Sequence, residues 1–424
     1  MSVRAGIVVT GTEVLNGRVS DRNGPWLSER LGELGVEVVH ILVVGDRPDD
    51  LDAALRFMEV ERMNLVVTSG GLGPTADDLT AEVVARFSGR ELRLDQGMED
   101  KIAAILRSFA RRIRLDSDAL IAANRKQAMI PEGAIAIDPV GTAPGLVVPA
   151  ERMVVVVLPG PPRELQPMWE PAIATEPVRA VLERATPFHG YTLRLFGIPE
   201  SEIAKSLGEI GEGADLSALE ITTCLRGGEL EIDVRYRDGA EAAAQLVRRG
   251  MSERHERHLF SEDGSTIDEQ LAQLLVGRRL GLAESCTGGL LAGRITRRPG
   301  ASEYLAGSVV AYSNEAKTAL LGVDPALIER HGAVSLEVAE AMADGALDRF
   351  EADLSCAVTG IAGPEGGTEE KPVGYVCFCV KLARGGVLLR DPVIPGGRED
   401  IRERAALVGV HLLRNLLRQE TPAF

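Results

Sequence analysis

Apolar positions along this chain repeat in two ways, and their alternation predicts most of the architecture. Continuous apolar runs at residues 4–10, 36–44 and 65–69 have the length and β-branched character of buried strands. Between them Leu27, Leu31 and Leu34, and then Leu51, Leu55 and Met58, recur at helical spacing. Asn23 before Pro25 marks the start of the first helix, Gly35 closes it, and Asp49 or Asp50 caps the second. The resulting β-α-β-α-β order predicts a doubly wound parallel sheet, in which ligands gather at the carboxyl ends of the strands.

The pattern thins at EPAIATEPVRA, which reads as a connector. Strands at 191–196, 219–225 and 229–235 and helices at 200–207 and 240–258 follow, with Gly227-Gly228 as a hairpin turn. This β-α-β-β-α order is KH-like. Beyond it, Ser265 and Asp268 open a helix, residues 279–284 form a strand, and a second strand–glycine–helix sequence begins. The expected fold class is therefore α/β: two three-layer α/β domains with mostly parallel sheets, at 1–172 and 263–424, joined by a small KH-like α+β module within 173–262.

Composition narrows the function. The chain has 424 residues, 45% of them hydrophobic, enough for more than one core, while aromatics are only 4%. A formal net charge of −16 opposes a nucleic-acid partner, which needs a basic footprint. Gly208-Glu209-Ile210-Gly211 satisfies a GxxG nucleic-acid clamp in form, but Glu209 and Glu212 repel phosphate. Five cysteines with no paired metal spacing, no secretory leader and no apolar run of membrane length point to a reducing cytoplasm and no membrane partner. His255 and His258, on a charged helical stretch, read as solvated surface.

Candidate chemistry concentrates in residues 64–80, NLVVTSGGLGPTADDLT. The strand runs into Gly70, Gly71 and Gly73, where missing Cβ atoms let backbone N–H groups face a ligand. Asp77 and Asp78 follow, before Leu79, Val83, Val84 and Phe87 announce a helix. Strand, glycine turn and helix start make a phosphate cradle, and carboxylates belong there only with a divalent cation between. Glu13, Asn16, Asp21, Asn23 and Asp46 lie at neighbouring strand ends. A plain βα turn with an aspartate cap, and Asp46 as a turn residue, explain the same residues.

The second turn, in ESCTGGLLAGRIT, places Ser285, Cys286, Thr287, Gly288 and Gly289 beside the positive end of a helix. A nucleophile, an anion anchor or an ordinary helix cap all fit. Neither His331 nor His411 has an acidic partner suggested by its surroundings, so a lysine base, of the Ser–Lys kind, suits Ser285 better. Cys286 is the rival nucleophile. Arg398, Arg402 and Arg404 offer guanidinium forks for phosphate near the last helix.

The first domain resembles the molybdopterin-binding fold of the MoaB/MogA type, through GG-x-G-x-x-x-x-D-x-T as Gly70, Gly71, Gly73, Asp78 and Thr80. With GTE, DRN, RKQA, GTAPG and LPGPP it resembles the amino-terminal domain of the CinA family, associated with metal-dependent hydrolysis of ADP-ribose and related pyrophosphates. ESCTGG, YSNEAK, HGAVS, TGIAGPEGG and EKPVG resemble the carboxy-terminal CinA domain, which carries nicotinamide mononucleotide amidohydrolase activity. The resemblance implies a bifunctional hydrolase of pyridine-nucleotide salvage. It implies a divalent ion (Mg, Mn or Co) on Asp78, Asp46 and Asp77, with Gly70, Gly71, Gly73, Thr75, Glu13, Asn23 and Lys126 about the first ligand. At the second site it implies Ser285 as nucleophile, Lys317 as base and Tyr312 in support. Thr287, Gly288, Thr359, Gly360, Arg402 and Arg404 would contact the nucleotide, and no cofactor is expected there. The expected partners are ADP-ribose, NAD-type dinucleotides and nicotinamide mononucleotide, in a homodimer. The alternatives are a nucleotide- or pterin-binding module with only one active domain, and a regulatory scaffold.

Overall fold

A computed structural model describes residues 3–110 and 124–420. The chain forms two compact units, Met1–His189 and Gly190–Phe424.

The first unit is built on a six-stranded sheet ordered β2-β1-β3-β8-β7-β6. Its parallel centre comprises β1 (Arg4–Thr10), β2 (Glu37–Val44), β3 (Leu65–Ser69) and β8 (Val154–Leu158). β7 (Gly145–Pro149) runs antiparallel to both β8 and β6 (Ile135–Ile137). Because successive side chains alternate across a strand, Leu65 and Val67 join one core while Val66 joins the other. Leu27, Leu31 and Trp169 cover the first face; Leu55, Met58, Val83 and Ile102 cover the second. Helices thus sandwich the sheet in three layers. Each fully buried Leu or Val contributes roughly 1.5–3 kcal/mol.

The segment read as a connector belongs to this unit. Helices Pro162–Ile173 and Glu176–Leu182 bring Leu165, Trp169, Val178 and Val181 into its core, so the first domain runs past residue 172.

In the second unit, residues 189–261 form a four-stranded sheet ordered β10-β11-β9-β12. The strands are β9 (His189–Phe196), β10 (Leu219–Arg226), β11 (Glu229–Tyr236) and β12 (Leu259–Ser261). Helices Glu200–Glu212 and Glu241–His255 supply Ile203, Ile210, Val247 and Met251 to its core. The GxxG run lies inside the first of these helices, so it is not a backbone-clamping loop. His255 is buried and its Nε2 meets Ser206 Oγ at 2.9 Å, while His258 Nδ1 lies 3.0 Å from Phe196 O. The expectation of solvated histidines is overturned for His255, which helical packing turns inward; His258, in the turn after that helix, is half-buried.

The last sheet is ordered β14-β13-β15-β16-β17. β13 (Leu280–Glu284) pairs in parallel with β14 (Leu305–Val310) and β15 (Leu354–Gly360), whereas β16 (Val376–Leu382) runs against β15 and β17 (Val387–Arg390). Leu282, Cys356 and Phe378 face helices Ile267–Leu274, Leu290–Thr296 and Arg398–Glu420. Ala283, Ala357 and Cys379 face Asn314–Leu321 and Leu336–Phe350. No helix among the described residues is long and apolar enough to cross a membrane.

Candidate functional site

In the first unit β3 ends at Ser69, and Gly70 (φ +110°) and Gly71 (φ +64°) reverse the chain. A Cβ on Gly70 would lie 2.5 Å from Thr10 O, and one on Gly71 would run into Thr80 Oγ1. Only glycine permits this approach. Thr80 secures the turn, donating from Oγ1 to Gly70 O (3.0 Å) and from N to Gly71 O (3.1 Å).

The loop beyond the turn is tied to itself. Asp78 Oδ2 accepts from Thr75 N at 2.9 Å and from Thr75 Oγ1, and it leaves no room for a side chain on Gly73. Lys126 Nζ donates to Thr75 O, and Gln127 Nε2 donates to Leu72 O at 2.9 Å. Lys126, expected at the ligand, braces the loop instead. The Thr75 hydroxyl also holds the Asp77 carboxyl below its ordinary range.

The three aspartates expected to share a metal are not gathered. Among the described residues no group of three or more His, Cys, Asp or Glu could hold an ion. Thr75 draws Asp78 away. Asp46 and Asp77 do line one small recess with Thr10, Gly71 and Thr80. Their hard oxygen donors fit a divalent cation, so two of the three carboxylates suit the expected metal. Asp46 is a turn residue as well: its Oδ2 accepts from Thr12 N at 2.8 Å, and Thr12 Oγ1 accepts from Asp46 N at 3.2 Å.

Beside this recess, Glu13, Asp21, Asn23, Ser69 and Gly160 line a cleft of about 510 Å³. Asn23 Nδ2 donates to Ser69 Oγ (2.8 Å) and Gly160 O (2.6 Å), while its buried Oδ1 has no partner within the described protein. Glu13 and Asn23 are thus together, apart from the Thr75–Asp78 loop.

In the second unit β13 ends in Glu284, a fully buried acid that was not anticipated. Its carboxylate accepts from Gly289 N (3.0 Å), Leu291 N (3.0 Å), Ala292 N (2.9 Å) and Ser308 Oγ (3.1 Å). The start of the helix Leu290–Thr296 is therefore occupied by the chain's own anion. The turn between them, with Gly288 (φ +59°) and Gly289 (φ +96°) left-handed, carries the candidate nucleophiles.

Ser285 and Lys317 are both buried, and Lys317 Nζ lies 3.1 Å from Ser285 Oγ. Nζ also donates to Ala311 O (3.1 Å) and Tyr312 O (3.4 Å). A neutral amine has two N–H groups and one lone pair. Two carbonyls take the hydrogens, and the lone pair is left for the Ser285 hydroxyl proton. Burial pushes the Lys317 ammonium below its ordinary pKa, which favours that form. Burial pushes the Cys286 thiol the other way, up to about 12, so it carries no thiolate at neutral pH.

The remaining expected residues frame this pair unevenly. Thr287 is fully buried with its Oγ1 unpartnered among the described residues. Gly288 N donates to Ser285 O at 3.0 Å, and a Cβ there would lie 3.1 Å from Arg402 Nη2. Arg402 donates to Cys286 O and Thr287 O, both at 3.0 Å, so its fork grips the loop backbone. Arg404 turns to Pro395 O at 2.8 Å. Thr359 Oγ1 donates to Ala333 O at 2.8 Å, and Gly360 packs closely on Tyr375 and Val376. The Tyr312 ring is exposed; only its backbone carbonyl meets Lys317, and its hydroxyl accepts from Arg398 Nη2 at 2.9 Å. Arg398 Nη1 reaches Gly363 O at 2.7 Å, joining the Tyr312 segment to the second glycine loop.

His331 and His411 do have acidic partners. His331 Nδ1 lies 3.4 Å from Glu337 Oε1, and His411 Nε2 lies 2.7 Å from Glu229 Oε1. Glu337 stands only six residues after His331, at the start of the helix Leu336–Phe350, so that partner was present in the nearby sequence, whereas long-range packing made the His411–Glu229 pair.

Residues 264–417 match the CinA C-terminal domain, and residues 6–178 match the probable molybdopterin binding domain. A CinA-like protein of Mycolicibacterium vanbaalenii is 57% identical over 98% of this chain and 99% of its own length. A CinA-like protein of Mycobacterium tuberculosis is 58% identical, covering 98% of each. Among solved structures, the competence/damage inducible protein CihA from Agrobacterium tumefaciens is 39% identical, covering 37% of this chain and 99% of its own, with a TM-score of 0.35.

Proposed function

This chain belongs to the CinA-like protein family, and from that premise we propose that it is a hydrolase of pyridine nucleotides with one site in each unit. The observation that carries the reading is the Ser285–Lys317 contact at 3.1 Å, with two backbone carbonyls on the same amine. Nicotinamide mononucleotide is the proposed substrate. Ser285 Oγ adds to the carboxamide carbon as its proton passes to Lys317 Nζ. That proton then goes to the departing nitrogen, the C–N bond breaks and ammonia leaves. Water cleaves the resulting ester by the reverse proton path, releasing nicotinate mononucleotide and restoring Ser285. Gly289, Leu291 and Ala292 amides are committed to Glu284, so the oxyanion draws on other donors.

For the first unit the favouring observation is the recess shared by Asp46 and Asp77 at the glycine turn. A divalent ion bound there would offset pyrophosphate charge and polarise it. Gly70 and Gly71 bring backbone close to an ADP-ribose- or NAD-type substrate, while Glu13 and Asn23 Oδ1 accept hydrogen bonds from it. A homodimer is the proposed assembly; a solution mass near 45.3 kDa by light scattering would contradict it.

The deciding experiment incubates the full chain separately with nicotinamide mononucleotide, ADP-ribose and NAD, with and without Mg, Mn or Co, and identifies products. Ammonia and nicotinate mononucleotide are expected from the first without metal, and AMP from the other two only with it. Absence of ammonia from a folded preparation would overturn the amidase reading.

A further inference from the structure

The helix Arg398–Glu420 touches the Ser285 loop with one stretch and the four-stranded middle module with another. Near its start, Arg402 holds the carbonyls of Cys286 and Thr287, and Arg398 holds Tyr312 and Gly363. Nine residues past Arg402, about 13 Å along the helix, His411 is buried against the middle module. Its Nε2 meets Glu229 Oε1 at 2.7 Å, and Glu229 is itself buried at the start of β11. The Phe196 ring, at the end of β9, stacks on the imidazole at 3.7 Å and 7°. Phe260 of β12 meets it edge-on at 4.9 Å. Gly228, at the hairpin tip, lies so close that a Cβ would be 2.9 Å from Leu407 Cδ2. Arg414, further on, donates to Phe260 O (2.9 Å) and Gln270 Oε1 (2.6 Å).

Three strands of the module thus meet one face of a helix whose other end grips the nucleophile loop. A spacer has no need of a buried acid–imidazole pair, which is costly to desolvate and strongly destabilising when broken on one side. An α-helix transmits a shift with little internal give, and the loop it grips has its amides already saturated by Glu284. We propose that the middle module is a positioning element of the Ser285 site, Glu229 acting through His411 and the helix Arg398–Glu420 on Arg402. The inference rests on the amidase reading for its catalytic measurement only. Its mechanical half stands on the contacts.

The test uses the full chain and two measurements. Hydrogen exchange is followed at the Gly289, Leu291 and Ala292 amides, and ammonia release from nicotinamide mononucleotide gives kcat and KM. Glu229→Ala is expected to speed exchange at those amides by about 10-fold and to lower kcat by a similar factor, with KM nearly unchanged. Glu229→Gln, whose side chain still reaches the imidazole, recovers most of both. The comparison variant is Glu231→Ala, which removes the carboxylate that pairs with Arg194 within the module. It leaves both measurements as in the parent. Unchanged exchange and turnover in folded Glu229→Ala would overturn the proposal. So would equal effects from Glu231→Ala, which would signify general loosening. If Glu229→Ala does not fold, Phe196→Leu removes the stacked ring, and unchanged values there overturn the proposal equally. If the parent releases no ammonia, the amidase reading fails while the exchange result still decides the coupling.

Discussion

Two turns in this chain share one local plan, a buried strand, then glycines, then a helix, and end in opposite chemistry. At Gly70-Gly71 the helix Thr80–Phe87 begins with no side-chain cap, and the acids that follow the glycines lie in an exposed loop. At Ser285–Gly289 the helix start is filled by Glu284, and the reactive groups Ser285, Thr287 and Lys317 are buried. An uncapped helix end favours an external anion, whereas a filled one frees its turn for a dry nucleophile. The occupant of the helix end, more than the glycine pattern, separates the phosphate-type turn from the acyl-transfer type.

The largest effect that would break this comparison lies at the buried turn. Ser285→Ala and Lys317→Ala are each expected to lose on the order of 10³-fold in kcat for ammonia release. The double variant should fall little further, because the two act as one unit. Lys317→Arg should be as poor, since a guanidinium keeps its proton. Full turnover by either single variant would remove the dyad.

The next effect separates the two aspartate roles at the exposed turn. Asp46→Asn keeps the Thr12 contact but removes a charge from the recess, and should lower metal-dependent pyrophosphate cleavage on the order of 10²-fold. Asp78→Ala frees Thr75 and should act more weakly, by loosening the loop. Neither should alter ammonia release. Titrating metal at fixed substrate distinguishes them: Asp46→Asn should shift the midpoint, and Asp78→Ala should leave it.

A third effect is set by pH. Burial depresses the Lys317 pKa from 10.5, so kcat should rise with pH through the lowered value and then level. The stability sign follows from proton counting. Between the lowered folded value and 10.5 the unfolded chain binds more protons than the folded one, so stability rises with pH across that window. Below the folded value the buried ammonium is a constant cost. Lys317→Met should therefore melt higher than the parent at neutral pH, with the gap closing as pH approaches 10.5. A gap independent of pH would show that Lys317 is not the titrating group.

What the sequence disclosed follows from how local each feature is. The strands, the helices and both glycine turns were readable because periodicity and backbone conformation are set within a few residues. Ser285 stood out because it directly follows the strand Leu280–Glu284, while its pairing with Lys317, inside the helix Asn314–Leu321, came from the family resemblance. Glu284 was not readable: an acid closing an apolar strand has no visible purpose until the turn folds three amides onto it. His255 and His411 were misjudged for the same reason, since Ser206 and Glu229 reach them only through packing. Lys126 and Arg402 carried the charge expected of phosphate ligands, yet folding spends that charge on backbone carbonyls.

The smallest expected effect sharpens the same comparison at its closest point, the neighbour of the nucleophile. Cys286 stands one residue from Ser285 and is intrinsically the better nucleophile, so reaction at the thiol would reverse the reading of a dry serine site. The physical case against it is twofold. Its side chain packs into the core beneath the last sheet, with Leu282, Leu291 and Val358, and burial there raises its pKa to about 12. At pH 7 the thiol then stays protonated, whereas an ordinary cysteine is a few per cent thiolate. Cys286→Ala should keep most of the ammonia-releasing activity and cost only about 1 kcal/mol of stability, the scale of a small core deletion. Iodoacetamide should label exposed Cys224 first, with activity intact while that label accumulates. Mass mapping of the alkylated chain against residual turnover decides the matter: activity lost in step with labelling at Cys286, together with an inactive Cys286→Ala and an active Ser285→Ala, would assign the chemistry to sulfur.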